Sequence, residues 1–192
     1  MKKLYIGLVG VLLVILLTFG WGVSVSNQLV NLDETVKEKW SQVENVYQRR
    51  SDLIPNLVNT VKGYAKHESD VFQGVAKARS QVGQVQVKSA ADLPKFDHAQ
   101  QELSSALSRL LVVAEKYPEL KADRNFLELQ SQLEGTENRI SVERMRFNEA
   151  ARSYNTYIRL FPQSMIAGVR GFHERPYFQA EATAKTAPKV EF

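Results

Sequence analysis

One unbroken apolar run, followed by a long succession of helical stripes, makes up the hydrophobic pattern of this chain. Leu4 to Val25 reads LYIGLVGVLLVILLTFGWGVSV, 22 residues without a charge. A helix of that length spans roughly 33 Å and crosses a bilayer once. The rival, a cleaved signal peptide, has a shorter apolar core of about 7 to 15 residues and a small-x-small site, which Val23-Ser24-Val25 matches weakly. An uncleaved anchor over residues 1–26 is therefore the expectation, with Tyr5 and Trp21 near the two interfaces where amphipathic rings are favoured.

Past the anchor, Leu32, Val36, Trp40, Val43, Tyr47, Ile54, Leu57 and Val61 recur at steps of three or four with one gap, predicting a first bundle helix. A second begins near Ser69, carries Val71, Phe72, Val75 and Ala78, and fades in SQVGQVQVKSAAD. A third covers Phe96 to about Lys116 and ends at Tyr117-Pro118, because a proline disfavours helical geometry in the residue before it. A fourth runs from about Leu120 to Leu160, with Phe126, Leu133, Ile140, Phe147, Tyr154 and Ile158 in phase. The fold class predicted is all-α: an N-terminal transmembrane helix followed by an elongated antiparallel four-helix bundle over residues 27–162. Residues 163–178, rich in glycine and aromatics, are expected to be an irregular docking segment, and residues 179–192 a flexible tail.

Two features interrupt these stripes. Pro55 stands inside the first helix, where proline removes a hydrogen bond and clashes with the preceding turn, at about 3 kcal/mol. A kink or restart at Ser51 or Asp52, with Asp52 as cap, would place Pro55 in a first turn, where its missing N–H matters little. A break near Gly63, alone or in addition, is the alternative. The second feature is charge in core slots. Arg50 falls between Tyr47 and Ile54, and Glu137 between Leu133 and Ile140. In an antiparallel pair with equal rise, facing residues have numbers summing to roughly 190. Arg50 is thus expected to meet Glu137 in a partly buried polar seam, helped by Asn138, Arg144 or Asn148, that sets register more than it adds stability. Without such a seam, Arg49 and its neighbours become an exposed partner-binding surface.

Composition narrows the chemistry. Removing Lys2 and Lys3 from the 25 basic residues leaves a near balance with 21 acidic ones, which is no nucleic-acid footprint. There is no cysteine, hence no disulfide or thiolate metal site. A di-iron bundle needs Glu-x-x-His on two helices, but Tyr64, Lys95 and Arg170 precede His67, His98 and His173 by three. HExxH, G-x-S-x-G and phosphate-loop motifs are missing too. Adjacent carboxylates such as Asp33-Glu34 read as a solvated helix face. Neither catalysis, a cofactor nor a small-molecule substrate is expected. The C-terminal Val190-Glu191-Phe192 has the apolar-x-apolar form that adds as a strand to PDZ-like domains, against the alternative of an inert tail.

The blocks NQLVNLDETVKEKWSQVENVYQRRSDLIPNLVNTVKGYAKHE, YPELKADRNFLELQSQLEGTENRI and RFNEAARSYNTYIRLFP, in that order, resemble the bacterial LemA family from about Asn27 to Phe172. Phe147 stands where the family commonly has tyrosine. The resemblance implies one N-terminal membrane helix, an all-helical bundle and no established reaction. Together with the residue reading it sets the functional expectation: a non-catalytic scaffold or adaptor of the bacterial inner membrane. It would bind lipid through residues 4–25, and another envelope protein or a second copy through its bundle or tail. An accessory regulator of a membrane protease or signalling protein is the alternative. Lys2 and Lys3 before the span, against Lys37 and Lys39 among acidic residues after it, favour an extracytoplasmic bundle.

Overall fold

The computed structural model describes residues 2–87 and 92–179. Among these residues the fold is all-α without strands: α1 Lys2–Tyr64, α2 Ser69–Gln84, α3 Leu93–Ala114, α4 Pro118–Lys121, α5 Arg124–Arg159 and α6 Gln163–Arg170. Two compact units emerge. One holds the chain up to Ser41 together with Glu149–Arg175; the other holds Gln42–Asn148 and the chain from Pro176. The unit that contains the apolar run thus extends past residue 26 and takes in part of the segment that the sequence pattern assigned to the bundle.

The second unit is a four-helix bundle with one core. Ile54, Leu57 and Val61 of α1, Phe72 and Val75 of α2, Leu103, Leu107 and Leu110 of α3, and Phe126 and Leu133 of α5 are buried together in it. The spacing that predicted the stripes is the spacing that fills this core. Helix α5 starts at Arg124, not Leu120, because the Asp123 carboxylate accepts the Phe126 N–H at 2.9 Å as a cap, leaving α4 as a separate turn. The Tyr64 hydroxyl donates to the same carboxylate at 2.8 Å, tying the end of α1 to the start of α5. Tyr64 with Asp123 and Arg50 with Glu137 are two pairs whose residue numbers have the same sum, as antiparallel helices of equal rise require.

The restart predicted at Ser51–Asp52 does not occur. Helix α1 runs 63 residues without a break, through Pro55 and past Gly63 to Tyr64. Asp52 is no cap; it is exposed and accepts a hydrogen bond from Gln48 one turn earlier at 2.8 Å. What accommodates the proline is a donor from another helix. The carbonyl that loses its helical N–H is that of Ser51, four residues back, and it accepts from Arg79 Nε of α2 at 3.1 Å, with Ser51 Oγ at 3.3 Å from the same nitrogen.

In the first unit, Tyr5 through Phe19 of α1 present exposed apolar side chains, and Val25, Leu29 and Val36 are buried. Ala151, Tyr154 and Ile158 of α5 and Ala167 of α6 are buried as well. The expected irregular segment is partly helical: α6 forms and is closed by Gly171 at φ 73, with Phe172 N–H bonding Ala167 O at 3.0 Å and Gly171 N–H bonding Gly168 O at 3.2 Å. This left-handed closure needs glycine, and eight residues are too few to show periodicity in sequence. Beyond Gly171 the chain from Phe172 to Gln179 is non-helical.

If Arg79 substitutes for the lost helical donor, Arg79→Met should destabilise by about 0.5 to 1.5 kcal/mol, and that loss should vanish in a Pro55→Ala background, where the helix satisfies Ser51 itself. Thermal melts of the two single variants and the double variant check it; additive effects would contradict it.

Candidate functional site

The bundle unit carries a charged cluster in its interior. Arg50 on α1 is 4% exposed. Its Nη1 lies 3.2 Å from Glu137 Oε2 on α5, and its Nη2 donates to Ser104 Oγ on α3 at 2.7 Å. The Ser104 hydroxyl donates to the Gln100 carbonyl at 3.0 Å, so its oxygen is oriented to accept from the guanidinium. Arg50 Nε finds no acceptor. The pair is asymmetric: the cation is inside, whereas the Glu137 side chain is 52% exposed. One turn before Arg50, Tyr47 meets Phe96 edge-on with centroids 5.0 Å apart. Burial pushes the Tyr47 hydroxyl up to about 12, with Asp97 and Glu137 adding to the shift and Arg144 and Arg50 opposing it. Tyr47 is therefore neutral at physiological pH.

The other residues predicted for this seam go elsewhere. Asn138 is exposed and lies outside it. Arg144 pairs with Asp97 of α3 at 3.1 Å, donates to the Gln179 carbonyl at 3.1 Å and stacks over the Phe178 ring at 4.5 Å. Asn148 Nδ2 donates to the Phe178 carbonyl at 3.0 Å while its Oδ1 accepts the Phe178 N–H at 2.9 Å. Phe147, in the family's tyrosine position, packs edge-on against the Phe178 ring at 5.5 Å. Arg144 and Asn148 thus clamp the C-terminal extended chain onto the bundle, and are no helpers of Arg50. Sequence spacing found their helix face but not the strand-like segment that occupies it. Arg49 is exposed, Ser51 serves the Arg79 contact already described, and Val190, Glu191 and Phe192 lie outside the described residues.

The anchor-containing unit uses the same device. Asn155, buried on α5, donates from Nδ2 to the Arg175 carbonyl at 2.7 Å and accepts the Arg175 N–H on Oδ1 at 2.8 Å. An asparagine amide so placed reproduces the donor and acceptor of a neighbouring β-strand. The Tyr154 hydroxyl donates to the His173 carbonyl at 3.0 Å. The Arg175 guanidinium reaches Asp33 on α1 at 2.5 Å, and Lys37 adds a second contact to Asp33 at 2.9 Å. Asp33, read from sequence as part of a solvated face, is buried; Arg175, from a segment without periodicity, is the partner that spacing could not reveal. Burial alone would raise the Asp33 carboxyl, but the hydrogen bonds and charges of Arg175 and Lys37 outweigh it and hold the group below its ordinary value of 3.8.

Surface concavities flank the bundle among the described residues. One of about 460 Å³ is lined by Val58, Lys62, Lys66 and Phe72. Another of about 240 Å³ lies against Pro94, His98 and Tyr177. Among the described residues no group of three or more histidine, aspartate or glutamate side chains is placed to hold a metal ion. The chemistry on view is charge neutralisation and backbone clamping.

Residues 39–192 match the LemA family. Magnetosome protein MamQ 2 of Paramagnetospirillum magneticum is 26% identical over 181 residues, covering 83% of this chain and 66% of the relative. Magnetosome protein MamQ of Magnetospirillum gryphiswaldense is 25% identical over 182 residues, with 83% and 66% coverage. Protein LemA of Metamycoplasma hominis is 21% identical over 154 residues, with 80% and 68% coverage. The chain thus spans just under two-thirds of the length of the MamQ relatives.

The asymmetry of the Arg50 pair orders its variants. Glu137→Leu strands a buried cation and should destabilise most, by up to about 3 to 5 kcal/mol if Ser104 cannot compensate. Adding Arg50→Met should restore much of that loss, so the double variant melts above Glu137→Leu alone. Near-zero, additive effects would remove the seam.

For Asp33 the folded value is depressed. Its contribution is present above the ordinary value of 3.8 and is lost as pH falls through the lower folded value. Asp33→Asn should therefore melt lower than the parent at pH 7, by about 1 to 3 kcal/mol, with the difference closing at the acid end of a melting series. A difference independent of pH would contradict the ion pair.

Proposed function

Because the chain belongs to the LemA family, we propose that it is a membrane-tethered scaffold or adaptor without chemistry of its own. In this reading its bundle, on the extracytoplasmic side, holds a second envelope protein or another copy of itself against the bilayer. The observation that carries it is the continuity of α1. The exposed apolar turns Tyr5 to Phe19 belong to the same uninterrupted helix as Ile54, Leu57 and Val61 in the bundle core. The anchor and a core helix of the bundle are thus one element, with no separate linker segment between them in sequence. The polar groups inside support the same reading. Arg50, Asp33, Asn148 and Asn155 each bond to another helix or to the C-terminal chain, which suits a surface-presenting body.

Chemical cross-linking in native membranes, followed by purification in mild detergent, tests this. The expected result is a discrete adduct with one envelope protein or with a second copy. Enrichment of one membrane protease or sensor would turn the reading toward an accessory regulator, and recovery as an uncross-linked monomer throughout would contradict both. An Arg139→Cys variant of this cysteine-free chain should react with an impermeant thiol reagent on intact cells; labelling only after lysis would reverse the orientation.

A further inference from the structure

Around α6 the first unit exposes more apolar surface than packing requires. Phe161 is 81% exposed, Met165 64% and Val169 89%, with Leu160 just before them at 51%. Met165 and Val169 are one helical turn apart on one face of α6, and Phe161 stands in the turn just before the helix. The opposite side of α6 is the packed one, with Ala167 buried. An isolated eight-residue helix is not stable in water, so α6 depends on what it docks against.

Its docking site is the end of the apolar run. A β-carbon placed on Gly22 would lie 3.9 Å from Ile166 Cδ1, and Arg170 Nη1 donates to Ser26 Oγ at 2.8 Å. Both pairs are separated by 144 positions. A constant separation means that α6 runs parallel to this stretch of α1 with the same rise. Met165 is then level with Trp21 and Val169 with Val25, and the turn at Leu160 and Phe161 lies deeper along the span. The α6 stripe is thus alongside the last turns of a segment whose own apolar side chains are exposed from Tyr5 to Val23.

We propose that α6 and the turn before it form a second, interfacial membrane contact, with Phe161, Met165 and Val169 inserted among lipid headgroups and upper acyl chains beside the transmembrane helix. Continuity with the lipid-facing surface of α1 selects lipid as the occupant. Running parallel to α1, α6 would enter the interface end-on, with the Phe161 turn deepest and the Arg170 end toward water. Arg170, exposed at the helix end next to Ser26, is placed to reach phosphate. Trp21 marks the same depth, where aromatic rings gather. This inference rests on α1 crossing the membrane, and is independent of whether the bundle acts as a scaffold.

The test uses the full chain, which has no native cysteine, in vesicles of phosphatidylcholine and phosphatidylglycerol. An environment-sensitive fluorophore is attached at Phe161→Cys, Met165→Cys or Val169→Cys, at Val23→Cys in the span, and at Glu38→Cys about 20 Å further along α1. Lipids carrying a nitroxide near the headgroup should quench the three α6 labels to the extent seen at Val23, several-fold more than at Glu38. Quenching no greater than at Glu38 would overturn the proposal. Fluorescence loss that depends on the labelled fraction of the protein, without lipid quenching, would assign the stripe to a second copy and also overturn it. The labelled side chains are exposed, so melts should match the parent; Leu160→Cys replaces any variant whose melt falls.

Discussion

The Ser51 carbonyl is the point on which α1 depends. Pro55 deprives that oxygen of its helical N–H, forgoing a hydrogen bond worth about 0.5 to 1.5 kcal/mol. Arg79 on α2 supplies the donor, so the helix passes through the proline without restarting. The consequence reaches well beyond one bond. Were α1 to break there, Ile54, Leu57 and Val61 would lose their phase with Tyr47 and Arg50, and the core would no longer face the side on which Glu137 stands. Continuity of α1 is what lets a single helix be both the apolar run and a wall of the bundle.

Buried charge then fixes register. Each unit takes one ionised side chain out of water, Arg50 in the bundle and Asp33 in the anchor-containing unit, and supplies a partner from a distant part of the chain. Such pairs contribute little net stability, because desolvation offsets attraction, yet breaking one leaves a charge that neither water nor protein satisfies. Slippage of α5 along α1 by one turn would separate Arg50 from Glu137. The two asparagines do comparable work for the extended C-terminal chain, each fixing one residue of it by two hydrogen bonds.

Legibility in the sequence followed the range of the interactions. Helices announced by repeating apolar steps were visible, and the facing of Arg50 and Glu137 followed from equal rise along antiparallel helices. The accommodation of Pro55 was not visible, since it depends on a donor 28 positions away on another helix, and local rules see only a helix breaker. Asp33 read as a surface acid because its partner lies 142 positions on, in a segment with no period. Asn148 and Asn155 fall on the face of α5 that also carries Ala151 and Tyr154, and a polar residue in a buried stripe was the available signal; the strand-like chain that satisfies them left none. Helix α6 was too short for periodicity, and its exposed stripe departs from the polar-outside rule that makes longer helices readable.

Amide hydrogen exchange across α1 in the full chain, reconstituted in lipid, tests the central claim most directly. A helix held intact through Pro55 by Arg79 predicts slow exchange without interruption from Leu29 to Val61, with the amides of Asn56 to Val58 as protected as those of Val43 to Tyr47. An island of fast exchange between Arg49 and Asn59, flanked by protected turns, would reveal a hinge at the proline and contradict the account.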